Sequence, residues 1–244
     1  MTQSIAILKR RNIFAVTSGG LLDRWRESGG DRIIPALAFR FSRTVPTPDQ
    51  MREWFTAHRY AVLGEVTIQY DGVSPSDERF EPYLAVAEQL DVPVGIHIGT
   101  GPPGAPYLGT PNDRARLHSP LLLEDAIVRH PKLRVYIMHA GWPMLDDLLA
   151  MMWTYPQLYV DTGVIDFALP RREFHRYLQR IVEAGFGKRV IFRIGSDELA
   201  GGHRASDRFH RNGGFPLCSA ETRHPVATRF LRLSDAEIAR HHGR

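Results

Sequence analysis

Short apolar runs alternate along the chain with segments in which apolar residues recur at helical spacing. Val135 and Ile137 lie in an unbroken apolar run that ends at His139, as in a strand buried on both faces of a parallel sheet. In residues 145–152, leucine and methionine then recur with the i, i+3, i+4, i+7 spacing of a helix with one apolar face. The pattern predicts that a strand places His139 at its carboxyl end, where parallel α/β proteins carry their functional residues.

The same alternation predicts seven strands, at residues 13–16, 33–39, 61–70, 92–98, 133–139, 158–161 and 190–194. One of the intervening helices begins at Thr47, Pro48 and Gln50, which supply an N-cap, a first-turn proline and a capping-box partner. Repeated βα units imply right-handed crossovers and a parallel sheet. Because no Gly-rich phosphate motif follows an early strand, we favour a TIM-type (β/α) barrel over an open sheet. Seven strands are one fewer than the barrel needs.

Length and composition fit a single domain over residues 1–244, with residues 198–228 irregular. The lone cysteine, Cys218, and the lack of a charged-then-apolar leader predict a cytoplasmic location. No apolar run approaches the roughly 20 residues that cross a bilayer, so we expect no membrane association. The net charge of +4 comes with no basic stripe and no aromatic–basic motif, so we expect no nucleic-acid partner.

Three predicted strands end at a residue that can bind a metal ion or move a proton: His97, His139 and Asp197. The carboxyl ends of parallel strands meet at one end of a barrel, so we expect these side chains to share a polar site. Imidazole and carboxylate groups suit zinc or a similar divalent ion, which polarises carbonyl groups and acidifies water. For each histidine the alternative is a hydrogen-bonded structural role.

Other polar residues have weaker signals. Glu65 lies within the third predicted strand, where it is either a further metal ligand or the partner of a basic residue. Asp161 begins an Asp-Thr-Gly sequence, for which we favour a turn or cap. The Gly- and Pro-rich connection at 100–118 is predicted to be a functional loop over the site. No role is assigned to Cys218, His203, His210, His224, His241 or His242.

Four segments together resemble one known family. They are V-P-V-G-I-H-I-G-T-G-P-P-G at 92–104, H-P-K-L-R-V-Y-I-M-H-A-G-W-P at 130–143, L-Y-V-D-T-G at 158–163 and G-S-D at 195–197. In order and spacing they resemble the amidohydrolase-related metal-dependent hydrolases of the amidohydrolase superfamily, which are TIM-barrel enzymes and include some decarboxylases. The likeness runs from about Ile5 to Asp197 and resumes at 230–243.

The resemblance implies that His97 is a metal ligand and that His139 binds metal or substrate. It implies that Asp197 is a ligand and the proton acceptor, so Asp197 and His139 are the expected catalytic residues. A water molecule activated by the metal, expected to be zinc, would then attack the carbonyl of a small amide, ester or lactone. Non-oxidative decarboxylation at the same metal site is the alternative. A homo-oligomer is left open.

Two departures from the family pattern change these expectations. The family's first strand, with an H-x-H pair of ligands, would precede Ile5 and is not in this chain. We therefore expect an N-terminally truncated copy with a weaker, incomplete metal site, or a catalytically silent fragment. The second departure is the aperiodic segment at 198–228. Its E-T-R-H at 221–224 can arise from codons for K-R-D-I read one base out of frame, so we hypothesise a compensated frameshift.

Overall fold

Seven strands form one parallel sheet in the computed structural model, which describes residues 1–191 of the chain. The strands are β1 Ala15–Thr17, β2 Ile33–Phe39, β3 Val62–Val66, β4 Val94–His97, β5 Val135–Met138, β6 Leu158–Asp161 and β7 Val190–Ile191. They lie side by side in sequence order, and every neighbouring pair is parallel. This order is that of a TIM-type barrel and confirms the predicted fold. The described residues supply seven of the eight strands of a closed barrel.

The connections between strands contain the helices that cover the sheet. Within residues 1–191 the α-helices are α1 Thr2–Arg10, α2 Leu22–Gly29, α3 Pro48–Thr56, α4 Glu81–Gln89, α5 Glu124–Arg129, α6 Leu145–Thr154, α7 Ile165–Ala168 and α8 Arg171–Ile181. The predicted capping box begins α3, because the Thr47 hydroxyl accepts from the Gln50 N–H at 3.2 Å and the Gln50 side chain accepts from the Thr47 N–H at 2.9 Å. None of these helices has both the length and the apolar character needed to cross a bilayer.

Two connections differ from the prediction. The third strand ends at Val66 rather than Tyr70, because the chain turns into a 3-10 helix at Ile68–Asp71. Backbone N–H groups there, such as that of Tyr70, donate to carbonyls within the same turn. The 100–118 connection, for which the sequence predicted only a loop, contains 3-10 helices at Ala105–Tyr107 and Ala115–His118. The predicted end of the seventh strand, Asp197 and the aperiodic segment at 198–228 lie outside the described residues.

Side chains on the two faces of the sheet form separate apolar clusters. Val94 and Ile96 belong to a large cluster with helix residues such as Met51 and Phe174, so they face outward. The buried members of the inner cluster all lie on strands; they are Ile34, Ala36, Val62, Tyr136 and Met138. The barrel interior is therefore filled with side chains below its carboxyl end, as in other TIM barrels.

Replacing Gly95 with alanine should destabilise the protein, because the added methyl group would lie 2.2 Å from Cζ of Tyr136. Overpacking of this kind costs about 1–3 kcal/mol. The measurement is urea denaturation followed by circular dichroism. Gly20→Ala is the matched control, since nothing lies within 4 Å of its Cβ position. Equal unfolding free energies for the two variants would contradict the interior packing described for Tyr136.

Candidate metal centre

Glu65, His97 and His139 converge at the carboxyl end of strands β3 to β5. One ligand atom from each side chain lies within 4.8 Å of the other two. The two imidazole centroids are 4.5 Å apart, and His139 Nε2 lies 3.8 Å from Glu65 Oε1. Both histidines are buried, while Glu65 is partly exposed. The structure thus brings together three of the four residues expected at the metal site, and Asp197 lies outside the described residues.

An extra residue in β3 explains how Glu65 reaches this site. Between two paired positions β3 advances three residues, from Leu63 to Val66, whereas β2 and β4 each advance two. Such a mismatch is a β-bulge, which turns a side chain out of the regular alternation. Leu63 and Val66 both pack in the outer cluster, so the extra residue lets Glu65 leave that face and approach His139.

The turn that ends β3 holds His97 in place. Its Tyr70 hydroxyl lies 3.0 Å from His97 Nε2, and the two rings pack with centroids 4.9 Å apart. The Gln69 side-chain amide donates to the His97 carbonyl. Because β3 ends at Val66, the turn that follows it can place the Gln69 and Tyr70 side chains against His97.

The 100–118 loop reaches the same site through its last residue. His118 is fully buried, its ring centroid lies 5.6 Å from that of His97, and its Nε2 lies 2.6 Å from Asp113 Oδ1. The predicted functional loop thus borders the candidate site. Sequence reasoning gave no individual role to Tyr70, Asp113 or His118, because turns and loops have no periodicity that marks a side chain's direction.

Tyr70 is a neutral hydrogen-bonding group in this site. Its burial, together with the negative charges of Glu65 and Asp113, raises the pKa of the phenol to about 12, although Arg40 acts in the opposite direction. The Arg40 guanidinium lies 5.4 Å from the Tyr70 ring centroid, and its Nε donates to Asp71 at 2.9 Å. One wall of the site therefore carries a protonated phenol beside an arginine that is held in an ion pair with Asp71.

His139 begins an unusual backbone turn. His139, Ala140 and Gly141 have φ values of 59°, 47° and 64°, so three successive residues are left-handed. This conformation is unfavourable for residues with a Cβ and persists where surrounding contacts impose it. Here the His139 N–H donates to Asp161 Oδ1 at 2.9 Å, and the buried Tyr177 hydroxyl donates to the Ala140 carbonyl at 2.9 Å.

The ring of His139 is oriented by a second hydrogen bond. Its Nδ1 lies 2.6 Å from the Gly163 carbonyl oxygen, which can only accept, so Nδ1 carries the proton. The lone pair of a neutral His139 is then on Nε2, the atom nearest Glu65. Burial by itself lowers the pKa of His139, but Glu65 and Asp161 outweigh it and leave the pKa above its usual value.

The three side chains fit a divalent metal ion. Two imidazoles and one carboxylate form a ligand set found in catalytic zinc sites, which leave a further position for water or substrate. Ligand atoms around a tetrahedral zinc with bonds near 2.0–2.1 Å are roughly 3.3 Å apart. The 3.8 Å between His139 Nε2 and Glu65 Oε1 is close enough for a small side-chain movement to reach that distance.

Several solved structures share the fold. A 5-carboxyvanillate decarboxylase from Sphingomonas paucimobilis is 14% identical, with a TM-score of 0.60 over 95% of this chain and 83% of that one. Another 5-carboxyvanillate decarboxylase, from Novosphingobium aromaticivorans and with bound manganese, is 14% identical, with a TM-score of 0.58 over 87% and 68%. A putative 2-pyrone-4,6-dicarboxylic acid hydrolase from Pseudomonas putida is 12% identical, with a TM-score of 0.58 over 91% and 82%.

Sequence comparison identifies the family. No curated protein has significant sequence similarity to the chain. The family model described as Amidohydrolase, however, matches residues 20–240, which include every strand from β2 to β7 and all three residues of the cluster. Because this match extends over most of the chain, the protein belongs to the amidohydrolase family.

Proposed function

We propose that this protein is a metal-dependent hydrolase in which activated water attacks the carbonyl carbon of a small amide, ester or lactone. The observation that carries the proposal is the Glu65–His97–His139 cluster at the carboxyl end of the strands, where TIM-barrel enzymes carry their active sites. A divalent ion, for which we propose zinc, supplies a Lewis acid and acidifies water when bound. Membership of an enzyme family whose members act on small molecules supports the same conclusion.

The residues of the chain have separate tasks in this proposal. His97, His139 and Glu65 would hold the ion, and the Gly163 carbonyl would keep the Nε2 lone pair of His139 available. Asp197 is proposed as a further ligand and as the proton acceptor, on the resemblance alone. Tyr70 is protonated at neutral pH, so its hydroxyl has one proton to donate, either to His97 Nε2 at 3.0 Å or to a substrate oxygen when His97 Nε2 carries its own proton. The lone cysteine favours the cytoplasm as the proposed location.

Non-oxidative decarboxylation is the second candidate. Two of the similar structures are decarboxylases of an aromatic carboxylic acid, and one of them contains manganese, which makes manganese the alternative metal. Arg40 favours an anionic substrate in either reaction, since its Nε is held by Asp71 and a guanidinium binds carboxylates well. The two reactions are separated by assaying esters, lactones and amides for hydrolysis and aromatic carboxylic acids for released carbon dioxide.

Each of the substitutions His97→Ala, His139→Ala and Glu65→Gln should lower divalent-metal affinity by at least about 10-fold. Loss of a residue that only hydrogen-bonds to a metal ligand already lowers affinity about 10- to 100-fold, so loss of a ligand should cost no less. Bound zinc and manganese are measured by mass spectrometry after equilibrium dialysis. His58→Asn is the control, because His58 is exposed and asparagine tolerates its positive φ. Undiminished metal in a His97→Ala, His139→Ala double variant would overturn the proposed site. Metal binding by wild-type protein without turnover of any tested substrate would instead support the alternative of a catalytically inactive protein.

The raised pKa of His139 predicts a pH-dependent stability of the metal-free protein. A protonated His139 is favoured in the folded state, so it contributes stability that is complete below the unfolded pKa, about 6.5, and is lost as pH rises through the folded pKa. Replacing Glu65 with glutamine should lower that pKa, which NMR titration of the His139 ring measures. The exposed Glu53→Gln is the control. An unchanged His139 titration in the Glu65 variant would contradict the ion pair.

Arg40→Gln should raise KM for substrates that carry a carboxylate and leave KM for neutral esters unchanged. Loss of a guanidinium partner of the substrate carboxylate removes a charge-assisted contact worth about 1.5–3 kcal/mol, which corresponds to a KM ratio of roughly 10 to 150. Arg79→Gln is the matched control, because Arg79 also pairs with an aspartate and lies beside an aromatic ring, Phe41. If both variants raise KM equally, or Arg40→Gln affects neutral esters as strongly, the carboxylate preference is wrong.

A further inference from the structure

A single buried oxygen atom holds two segments of the candidate site together. Oδ1 of Asp161 accepts from the backbone N–H of His139 at 2.9 Å and from the backbone N–H of Gly163 at 3.0 Å. Asp161 has no exposed surface. Hydrogen bonds from N–H groups to an ionised carboxylate are stronger than those to neutral acceptors, and burial shields them from water. The carboxylate therefore fixes the separation of two main-chain segments that are far apart in sequence.

The same two segments meet again through the ring of His139. Gly163, whose N–H is held by Asp161, points its carbonyl oxygen at His139 Nδ1 over 2.6 Å. The backbone of His139, the carboxylate of Asp161, the peptide of Gly163 and the ring of His139 thus form a closed circuit of hydrogen bonds. Any displacement of Asp161 moves the acceptor that determines which ring nitrogen carries the proton.

We propose that Asp161 is a positioning residue for His139. It stabilises the left-handed backbone of His139 directly and fixes the ring's tautomer through Gly163, with the Nε2 lone pair on the side of Glu65. The consequence for metal affinity rests on the proposed function, whereas the consequence for the tautomer does not. The turn expected for Asp-Thr-Gly supplies one of the two contacts, the bond from the Gly163 N–H to Asp161. The second contact, from the His139 N–H, was not expected from the sequence.

Another buried hydrogen bond in the same turn separates positioning from general stabilisation. The Tyr177 hydroxyl donates to the Ala140 carbonyl at 2.9 Å, one residue beyond His139, but this bond reaches neither the N–H nor the ring of His139. Removing it with Tyr177→Phe leaves a buried carbonyl without that donor and should cost stability. The circuit through Asp161 stays intact in that variant, so the tautomer of His139 should not change.

The test is ¹⁵N NMR of histidine-labelled, metal-free protein, at a pH high enough for His139 to be neutral and with its signals assigned by difference from His139→Gln. Wild-type protein should show a protonated Nδ1. Asp161→Ala should shift His139 to a mixture of both tautomers, while Asp161→Asn, which keeps an acceptor oxygen, should restore the wild-type signature. Tyr177→Phe should lower the thermal midpoint and keep Nδ1 protonated.

Zinc affinity is the second measurement on the same variants. Asp161→Ala should weaken zinc binding roughly 10- to 100-fold, and Asp161→Asn should recover most of that loss. A protonated Nε2 in wild-type protein overturns the inference without any variant, and so does an unchanged tautomer in a folded Asp161→Ala protein. If the tautomer responds as expected but wild-type protein binds no zinc or manganese, the positioning role stands and the proposed metal-dependent function fails.

Discussion

The parallel register of β4 and β5 determines where the candidate site lies. His97 at the end of β4 pairs with Met138, the residue before His139, so the two histidines reach the same end of the sheet one step apart. Their ring centroids are 4.5 Å apart as a result. Tyr136 fills the interior in front of Gly95 and closes the space beneath them. Strand pairing and interior packing therefore determine the position of the site, and the polar contacts only orient the side chains within it.

The sequence was sufficient to predict the parts of the site that depend on strand ends. A mostly apolar run that ends at a histidine marks both His97 and His139, because strands buried on both faces of a parallel sheet are largely apolar. Glu65 could not be placed in the same way. Regular alternation from Leu63, which faces outward, would put Glu65 outward too, and the bulge that changes its direction is visible only in the unequal advance of three adjacent strands.

Side chains that act through contacts distant in sequence were the hardest to predict. Asp161 was expected to start a turn or cap, and at the end of β6 its carboxylate accepts from the Gly163 N–H, but its bond to the His139 N–H spans 22 residues and depends on β5 and β6 lying side by side. Tyr70 looked like the end of a strand because the residues before it are β-branched. The hydrogen bonds of the 3-10 turn override that preference, and the turn gives Tyr70 its position beside His97.

Charge balance explains why these contacts belong to one system. A carboxylate at the edge of a buried pair of imidazoles is costly unless a cation accompanies it, and that cation can be either a proton on a histidine or, in the proposed site, a metal ion shared by the three side chains. Glu65 favours the proton by raising the pKa of His139, and the same oxygen is within reach of a shared metal. Because metal binding requires neutral imidazole, a metal ion in the proposed site would compete with protons for one lone pair on His139. The hydrogen bond to Gly163 places this lone pair on Nε2, so the same ring nitrogen faces Glu65 whether a proton or a metal ion occupies it.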